Sequence, residues 1–260
     1  MEETLDILRQ KARTAAQRAH VPYSARRDAA VLLLADGTWA LGVRVESASF
    51  SLVIPPLVNA FSTAVAAGRT DVVAVALNRP FLAEESAYAR ATPAGPFREA
   101  AADVFVAAEI HTLPAVADRL DPLLDAPTPQ DPAEGIALAR QVAQRAYVPE
   151  SDFPVGCVLV AEGGRLIPGV NVEHADWSRI LCAERNALGT ALSWGLTGLE
   201  ILYLTCLKDQ SGSPCGACRQ LLAELAPAAA VWMDRGQAPP EVASPGQLLP
   251  DAFHGQALLL

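Results

Sequence analysis

The chain has 260 residues, 51% of them hydrophobic, and a formal net charge of −9. That length holds one large domain or two smaller ones, with enough apolar material for substantial cores. The acidic balance argues against a nucleic-acid groove, which needs basic surface, and no apolar run of about 18 residues suggests a membrane span.

In chain order, the N-terminus lacks the basic, apolar and cleavage regions of a leader, so a cytoplasmic location is expected. Strands are expected near 29–34, 40–45, 71–77 and 103–107, with an apolar helix over Pro55–Ala67. The stretch 126–132 (APTPQDP) is proline-rich, short of apolar residues, and reads as a linker. Beyond it the pattern predicts a helix over 133–147, strands near 155–160 and 166–172, and a helix from Cys182 to Trp194 stopped by Gly195. A strand near 200–206, a helix from Cys215 to Leu225 and a strand over Ala229–Met233 complete the pattern. Strands alternating with helices imply a layered α/β sheet covered on both faces.

The two halves are copies of each other. Ala15–Ser24 (AAQRAHVPYS) and Val142–Ser151 (VAQRAYVPES) share seven of ten residues at an offset of 127. The same offset pairs Gly42-Val43-Arg44-Val45-Glu46 with Gly169-Val170-Asn171-Val172-Glu173, Asn59-Ala60 with Asn186-Ala187, and Gly68 with Gly195. Separate segments agreeing at one offset mark a duplicated fold. The expected domains are 1–125 and 133–260.

All five cysteines lie in the second copy, at 157, 182, 206, 215 and 218. An odd, clustered set without a leader reads as metal site or buried thiol rather than a disulfide framework. Cys182-Ala183-Glu184-Arg185 and Pro214-Cys215-Gly216-Ala217-Cys218-Arg219-Gln220 supply three thiols and a glutamate. Three protein ligands leave zinc an open position for water, as catalytic zinc requires, whereas structural zinc takes four. Cys182 is expected to start one helix, and Cys215 and Cys218 to occupy the first turn of another, where free N–H groups favour thiolates. Three thiolates on one zinc carry a net negative charge, which Arg185 and Arg219 can drain by hydrogen-bonding sulfur. Glu184, two residues from a ligand, can shuttle protons beside a zinc-bound water. Cys157 and Cys206 read as small buried hydrophobes.

These motifs, with Phe153-Pro154-Val155-Gly156, Asn171-Val172-Glu173 and Leu248-Leu249-Pro250-Asp251-Ala252-Phe253 in the same order, make residues 133–255 resemble the small three-cysteine zinc cytidine deaminases. The resemblance implies a tandem duplication of their three-layer α/β/α fold with a mixed sheet. It implies one Zn²⁺ per chain on Cys182, Cys215 and Cys218, and hydrolytic deamination of cytidine or deoxycytidine by Glu184. It further implies ribose recognition by Asn171 and Glu173, a pocket wall at Phe153, and an aromatic at Phe253 stacked on the pyrimidine. Carbonyls at Ala183 and just before Cys215 would receive the amino group.

The chain also departs from that family. His174-Ala175-Asp176-Trp177-Ser178-Arg179-Ile180 replaces its usual loop, which leaves another cytosine compound, such as a nucleoside antibiotic or CMP, open as substrate. A zinc- or nucleoside-binding scaffold without turnover is the rival from another class, disfavoured by the intact Glu184. His174 is expected at a pocket wall or interface. At the repeat offset the first copy has Pro55 for Cys182, Leu57 for Glu184, Arg44 for Asn171 and Arg26 for Phe153, so it holds no metal. The resemblance to homotetrameric enzymes implies that the fused pair forms a homodimer, a pseudo-tetramer with a small-molecule nucleoside as partner and no nucleic acid.

Overall fold

The computed structural model describes residues 1–92 and 94–259. In the first copy α1 (Glu2–Ala15) precedes strands β1 (Ala29–Leu34) and β2 (Trp39–Val43), helix α2 (Pro56–Ala66), strand β3 (Val72–Leu77), helix α3 (Ala83–Ala91), and strands β4 (Phe97–Ala101) and β5 (Val104–Ala107). In the second, α4 (Pro132–Ala143) precedes β6 (Val155–Ala161), β7 (Arg165–Val170), α5 (Ala183–Trp194), β8 (Ile201–Cys206), α6 (Gly216–Leu225), β9 (Ala230–Met233) and β10 (Glu241–Ala243).

Each copy builds one five-stranded sheet, ordered β2-β1-β3-β5-β4 and β10-β9-β8-β6-β7. Strand β6 is buried along nearly its whole length, as a strand covered on both faces must be. Its side chains alternate: Val158 and Val160 join a cluster with Ile136, Ala139 and Val142 of α4. Cys157, Leu159 and Ala161 face the other way, into a core with Ala183, Ala187 and Leu188 of α5. In the first copy α1 packs on β1 and β3, and α2 on β2 and β1.

The second sheet is mixed, with β8 and β9 parallel; the first is antiparallel throughout, β5 running against β3. The difference lies in the connection. Helix α6 forms the crossover that a parallel pair needs. In its place the first copy has α3 and a hairpin with a two-residue turn, which brings β5 back antiparallel. Strand β4 escapes the apolar pattern because Arg98, Glu99 and Ala100 are exposed on an edge strand.

A two-fold relation between α2 and α5 joins the copies. Asn59 Nδ2 donates to Val43 O (2.9 Å) and Gly189 O (3.2 Å), and Asn186 Nδ2 donates to Val170 O (3.3 Å) and Ser62 O (2.8 Å). Each contact maps onto the other at the repeat offset. On the axis itself Thr63 and Thr190 share a 2.8 Å hydroxyl–hydroxyl bond. Gly42 and Gly169 serve the same symmetry: a methyl on Gly42 would come within 2.2 Å of Ala60 N, and one on Gly169 within 2.2 Å of Ala183 O. Glycine lets each central helix settle on its sheet. All of α2 is buried, and one apolar core runs continuously from Leu8 of the first copy to Leu222 of the second. The linker is not free chain either, since Leu124 N–H donates to Leu166 O (2.9 Å) and Thr128 to Gly164 O (3.1 Å).

Candidate active site

The three expected ligands converge. Cys182 is the N-cap of α5 and Cys215 the N-cap of α6, with Cys218 in that helix's first turn. Their sulfurs lie within 4.8 Å of one another, with Cys182–Cys215 at 3.8 Å and Cys215–Cys218 at 3.5 Å. Tetrahedral zinc with bonds of about 2.3 Å would hold its sulfurs about 3.8 Å apart, so the cluster is close to metal-ready. Hydrogen bonding among the crowded thiols drives Cys182 up to about 12 and Cys215 down, an imbalance that a divalent cation would remove. Among the described residues this is the one cluster of metal-ligating groups, and it lies in the second copy.

Glu184 stands on the first turn of α5 and is 3% exposed. Burial pushes its carboxyl up to about 7; Cys215 adds to the rise and Arg185 opposes it. Arg185 gives one nitrogen to Leu52 O of the first copy (3.1 Å), while its buried Nε–H finds no partner in the protein.

Arg219 does not serve sulfur as expected. Its three nitrogens donate to Pro214 O (2.7 Å), Leu248 O (3.1 Å) and the Ser213 hydroxyl (3.0 Å), so geometry commits it to the turn ahead of Cys215. The carbonyl before Cys215 therefore already accepts a hydrogen bond. The Ala183 carbonyl lies against Gly169, on the sheet side of the helix.

Strand β7 ends at Val170, short of the expected 172, so Asn171 and Glu173 lie beyond it. Asn171 turns its amide on the neighbouring chain: Oδ1 accepts from Val155 N–H (2.8 Å) and Nδ2 donates to Phe153 O (3.0 Å). Those bonds take over where the ladder stops. The Glu173 carboxylate accepts from the amides of Glu150 (2.9 Å) and Ser151 (3.2 Å) and from the Ser151 hydroxyl. Burial alone would raise its pKa, but these donors outweigh it and hold the carboxyl below the ordinary 4.5. Phe153 is half-buried on the loop so held.

Motif spacing alone does not single out Ser151, although a signal exists: Ser24 and Glu46 recur at the repeat offset. Glu46 accepts from Ser24 and from the Tyr23 amide in the same pattern. His174 is an interface residue, stacked on Tyr88 of the first copy with ring centroids 4.6 Å apart. Nothing in the spacing of either segment announces that pair. Phe253 is half-exposed and lines a cavity of about 770 Å³ with Tyr23, Ser24, Glu46, Phe50 and Gln220. Neither the three cysteines nor Glu184 lines that cavity.

Comparison with known proteins agrees with this geometry. A family model described as the cytidine and deoxycytidylate deaminase zinc-binding region matches residues 130–234, and a second of the same description matches residues 1–90. A cytidine deaminase of Sporosarcina psychrophila is 37% identical over 124 residues, 47% of this chain and 91% of that protein. The chain belongs to the cytidine deaminase family. One from Mycobacterium tuberculosis (strain H37Rv) is 40% identical over 118 residues, 44% of this chain and 84% of its own. The crystal structure of cytidine deaminase from Burkholderia pseudomallei aligns at 37% identity and a TM-score of 0.43, covering 46% of this chain and 98% of that one. The family's zinc-binding region is thus present twice, but its first occurrence contains no cysteine.

Proposed function

We propose that Cys182, Cys215, Cys218 and Glu184 form the one catalytic centre of the chain, and that the first copy is its non-catalytic companion. By family the protein is a zinc-dependent, hydrolytic cytidine deaminase. Zinc, when bound, acidifies a water and so supplies a nucleophile near neutral pH. Cys182, Cys215 and Cys218 would hold it. The buried Glu184 carboxylate would take both protons of the attacking water in turn, passing the first to N3 of the cytosine ring and the second, from the hydroxyl newly joined to C4, to the departing amine. Ammonia leaves and uridine remains. The Nε–H of Arg185, buried and unpaired, is the donor proposed for a cysteine sulfur. Arg219 acts one step back, holding the Pro214–Cys215 turn.

The observation that carries this reading is the pairing of three sulfurs at two helix N-termini with a buried carboxyl on the first turn of one of them. A scaffold has no use for Glu184. Asn171, Glu173 and Phe153 are proposed as the ribose and pocket residues, each positioned by the loop bonds described above. Phe253 is left out of the catalytic centre of its own chain, because its ring lines the first-copy cavity.

The proposed substrates are cytidine and deoxycytidine. No helix is long and apolar enough to cross a membrane; we place the protein in the cytoplasm as a homodimer. Phe50 at 87% and Phe253 at 53% exposure are apolar surface that a second copy would cover.

The test is Glu184→Gln. Zinc content and fold should persist while ammonia release from cytidine falls by about 10²–10⁴-fold or more, the scale of a lost general acid–base. Turnover within a few-fold of the native enzyme would refute the assignment. Assaying CMP and free cytosine beside cytidine decides the substrate class.

A further inference from the structure

A hollow of about 220 Å³ lies on the first copy, lined by Lys11 and Thr14 of α1, Arg18 just after it, Trp39 of β2, and Arg119. It gathers three cations in a chain whose net charge is −9. Among the described residues none of the three makes an ion pair, whereas Arg9, Arg44, Arg69, Arg79, Arg140 and Arg235 all hold carboxylates.

Neutral groups hold these cations instead. The Lys11 ammonium sits 4.0 Å from the centre of the Trp39 ring. Arg18 gives one nitrogen to Ser193 O at the end of α5 (3.3 Å). The Arg119 guanidinium lies 5.7 Å from the Trp194 ring centre, and the indole N–H of Trp194 is buried without an acceptor. The backbone at Arg119 is fixed as well: Trp39 N–H donates to Asp118 O (3.1 Å) and Leu120 N–H to Trp39 O (2.8 Å). Burial and then the facing Arg18 push Arg119 below its ordinary pKa, while Asp121 compensates more weakly. Aromatic faces and a carbonyl stabilise a cation without neutralising it. Like charges gathered at fixed positions, with only the weaker Asp121 to offset them, are unfavourable until an anion joins them.

We propose that this hollow is a binding site for a phosphate group, free or carried as a phosphomonoester, separate from the zinc centre. Two guanidinium forks match phosphate geometry, and the ammonium supplies a third point of charge. The Thr14 hydroxyl adds a neutral group on the lining. The volume accommodates a phosphoryl head but not a whole nucleotide, so a base or sugar would extend outward. Such a ligand would sit on the first copy and reach the second through Arg18 and Arg119, which rest on Ser193 and Trp194, the last residues of the helix that carries Cys182-Ala183-Glu184 at its other end.

The experiment titrates the zinc-loaded full chain at low ionic strength with inorganic phosphate, adenosine 5′-monophosphate and adenosine, monitored by calorimetry. The adenine compounds avoid the cytosine site. Saturable, one-to-one phosphate binding is expected, weakened at least about tenfold in Arg18→Ala/Arg119→Ala and unchanged in Arg13→Ala, an exposed cation outside the hollow. Tighter binding of the monophosphate than of phosphate assigns the site to a phosphomonoester, and equal binding assigns it to free phosphate. Lack of saturable phosphate binding, equal affinity in the double variant, or equal weakening in Arg13→Ala would overturn the proposal. A folded, zinc-replete double variant, shown by circular dichroism and metal analysis, makes the comparison valid.

Discussion

The hydroxyl pair on the two-fold axis gives a quantitative test of how the copies are held together. Thr63 and Thr190 are each 1% exposed and 2.8 Å apart. Valine replaces threonine with nearly the same shape and a similar helix propensity, so substitution isolates the hydrogen bond. Thr63→Val strands the Thr190 hydroxyl, which keeps only a long contact to Asn186 Oδ1 at 3.5 Å. Thr190→Val strands Thr63 and also removes that long contact. A buried polar group left unpaired costs about 1–3 kcal/mol, with Thr190→Val at the upper end. For a chain of this size each kcal/mol lowers the melting temperature by roughly 2–4 °C. The double substitution leaves neither hydroxyl to strand, freeing only Asn186 Oδ1 of its long contact, and brings two methyl groups together. It should therefore cost less than the sum of the singles by about 1–2 kcal/mol, a strong coupling for one pair. Urea unfolding of the zinc-loaded protein measures all three variants. Additive effects within about 0.5 kcal/mol would show that the two hydroxyls do not depend on each other, and the axis as described would be wrong.

Chelation should abolish turnover while leaving far-UV circular dichroism largely intact, because the three cysteines sit on helix starts anchored by the core; added zinc should restore activity at one ion per chain. Asp234 is held below its ordinary 3.8: burial would raise it, but Arg140, Thr205 and the Gly236 amide outweigh burial. Its contribution is therefore present above about pH 4 and lost as pH falls through the depressed folded value. Asp234→Asn should flatten that acid limb, and an unchanged stability–pH profile below about pH 4 would remove Asp234 from it. The fragment 128–260 bares Asn186, Thr190 and Ser193, whose partners lie on α2 and β2. It should be insoluble or inactive alone, and the full chain should scatter light as a dimer of about 55 kDa (two chains of 27.4 kDa); an active, monomeric fragment would overturn both expectations.

The legibility of each feature in the amino-acid sequence depends on where its information lies. The candidate metal site is legible because its cysteines sit at helix starts, and a helix start is local: Cys182 and Cys215 as caps, with Cys218 in the first turn, declare their positions through neighbours within one helical turn. The antiparallel first sheet is not, because the decisive element, β4, is an exposed edge strand carrying Arg98 and Glu99. Arg219, Asn171 and Phe253 escape the sequence for a different reason. Each chooses among partners brought close by the fold, and spacing cannot rank a sulfur against a carbonyl that lies 29 residues away, as Leu248 does from Arg219.

The duplication itself separates scaffold from chemistry more sharply than any single motif. Residues that agree between the copies have structural duties in both: Gly42 and Gly169 admit the central helices, Asn59 and Asn186 bind across the axis, and Glu46 and Glu173 clamp the same serine loop. Where the copies differ, as Pro55 against Cys182 and Leu57 against Glu184, the second copy carries the groups proposed to bind metal and move protons. Leu57 fills at 1% exposure the position that Glu184 fills at 3%, so the site accepts an apolar side chain without disturbing the fold. A buried carboxyl there is expensive to keep, and the first copy shows that the fold does not need it. Glu173 is the instructive middle case. Its counterpart Glu46 keeps the same hydrogen bonds where there is no metal, so retention of this glutamate records a loop clamp first. Any part it has in binding ribose must be exercised through lone pairs that the clamp leaves over. Substituting Glu173 therefore confounds binding with loop collapse, whereas Glu184→Gln does not.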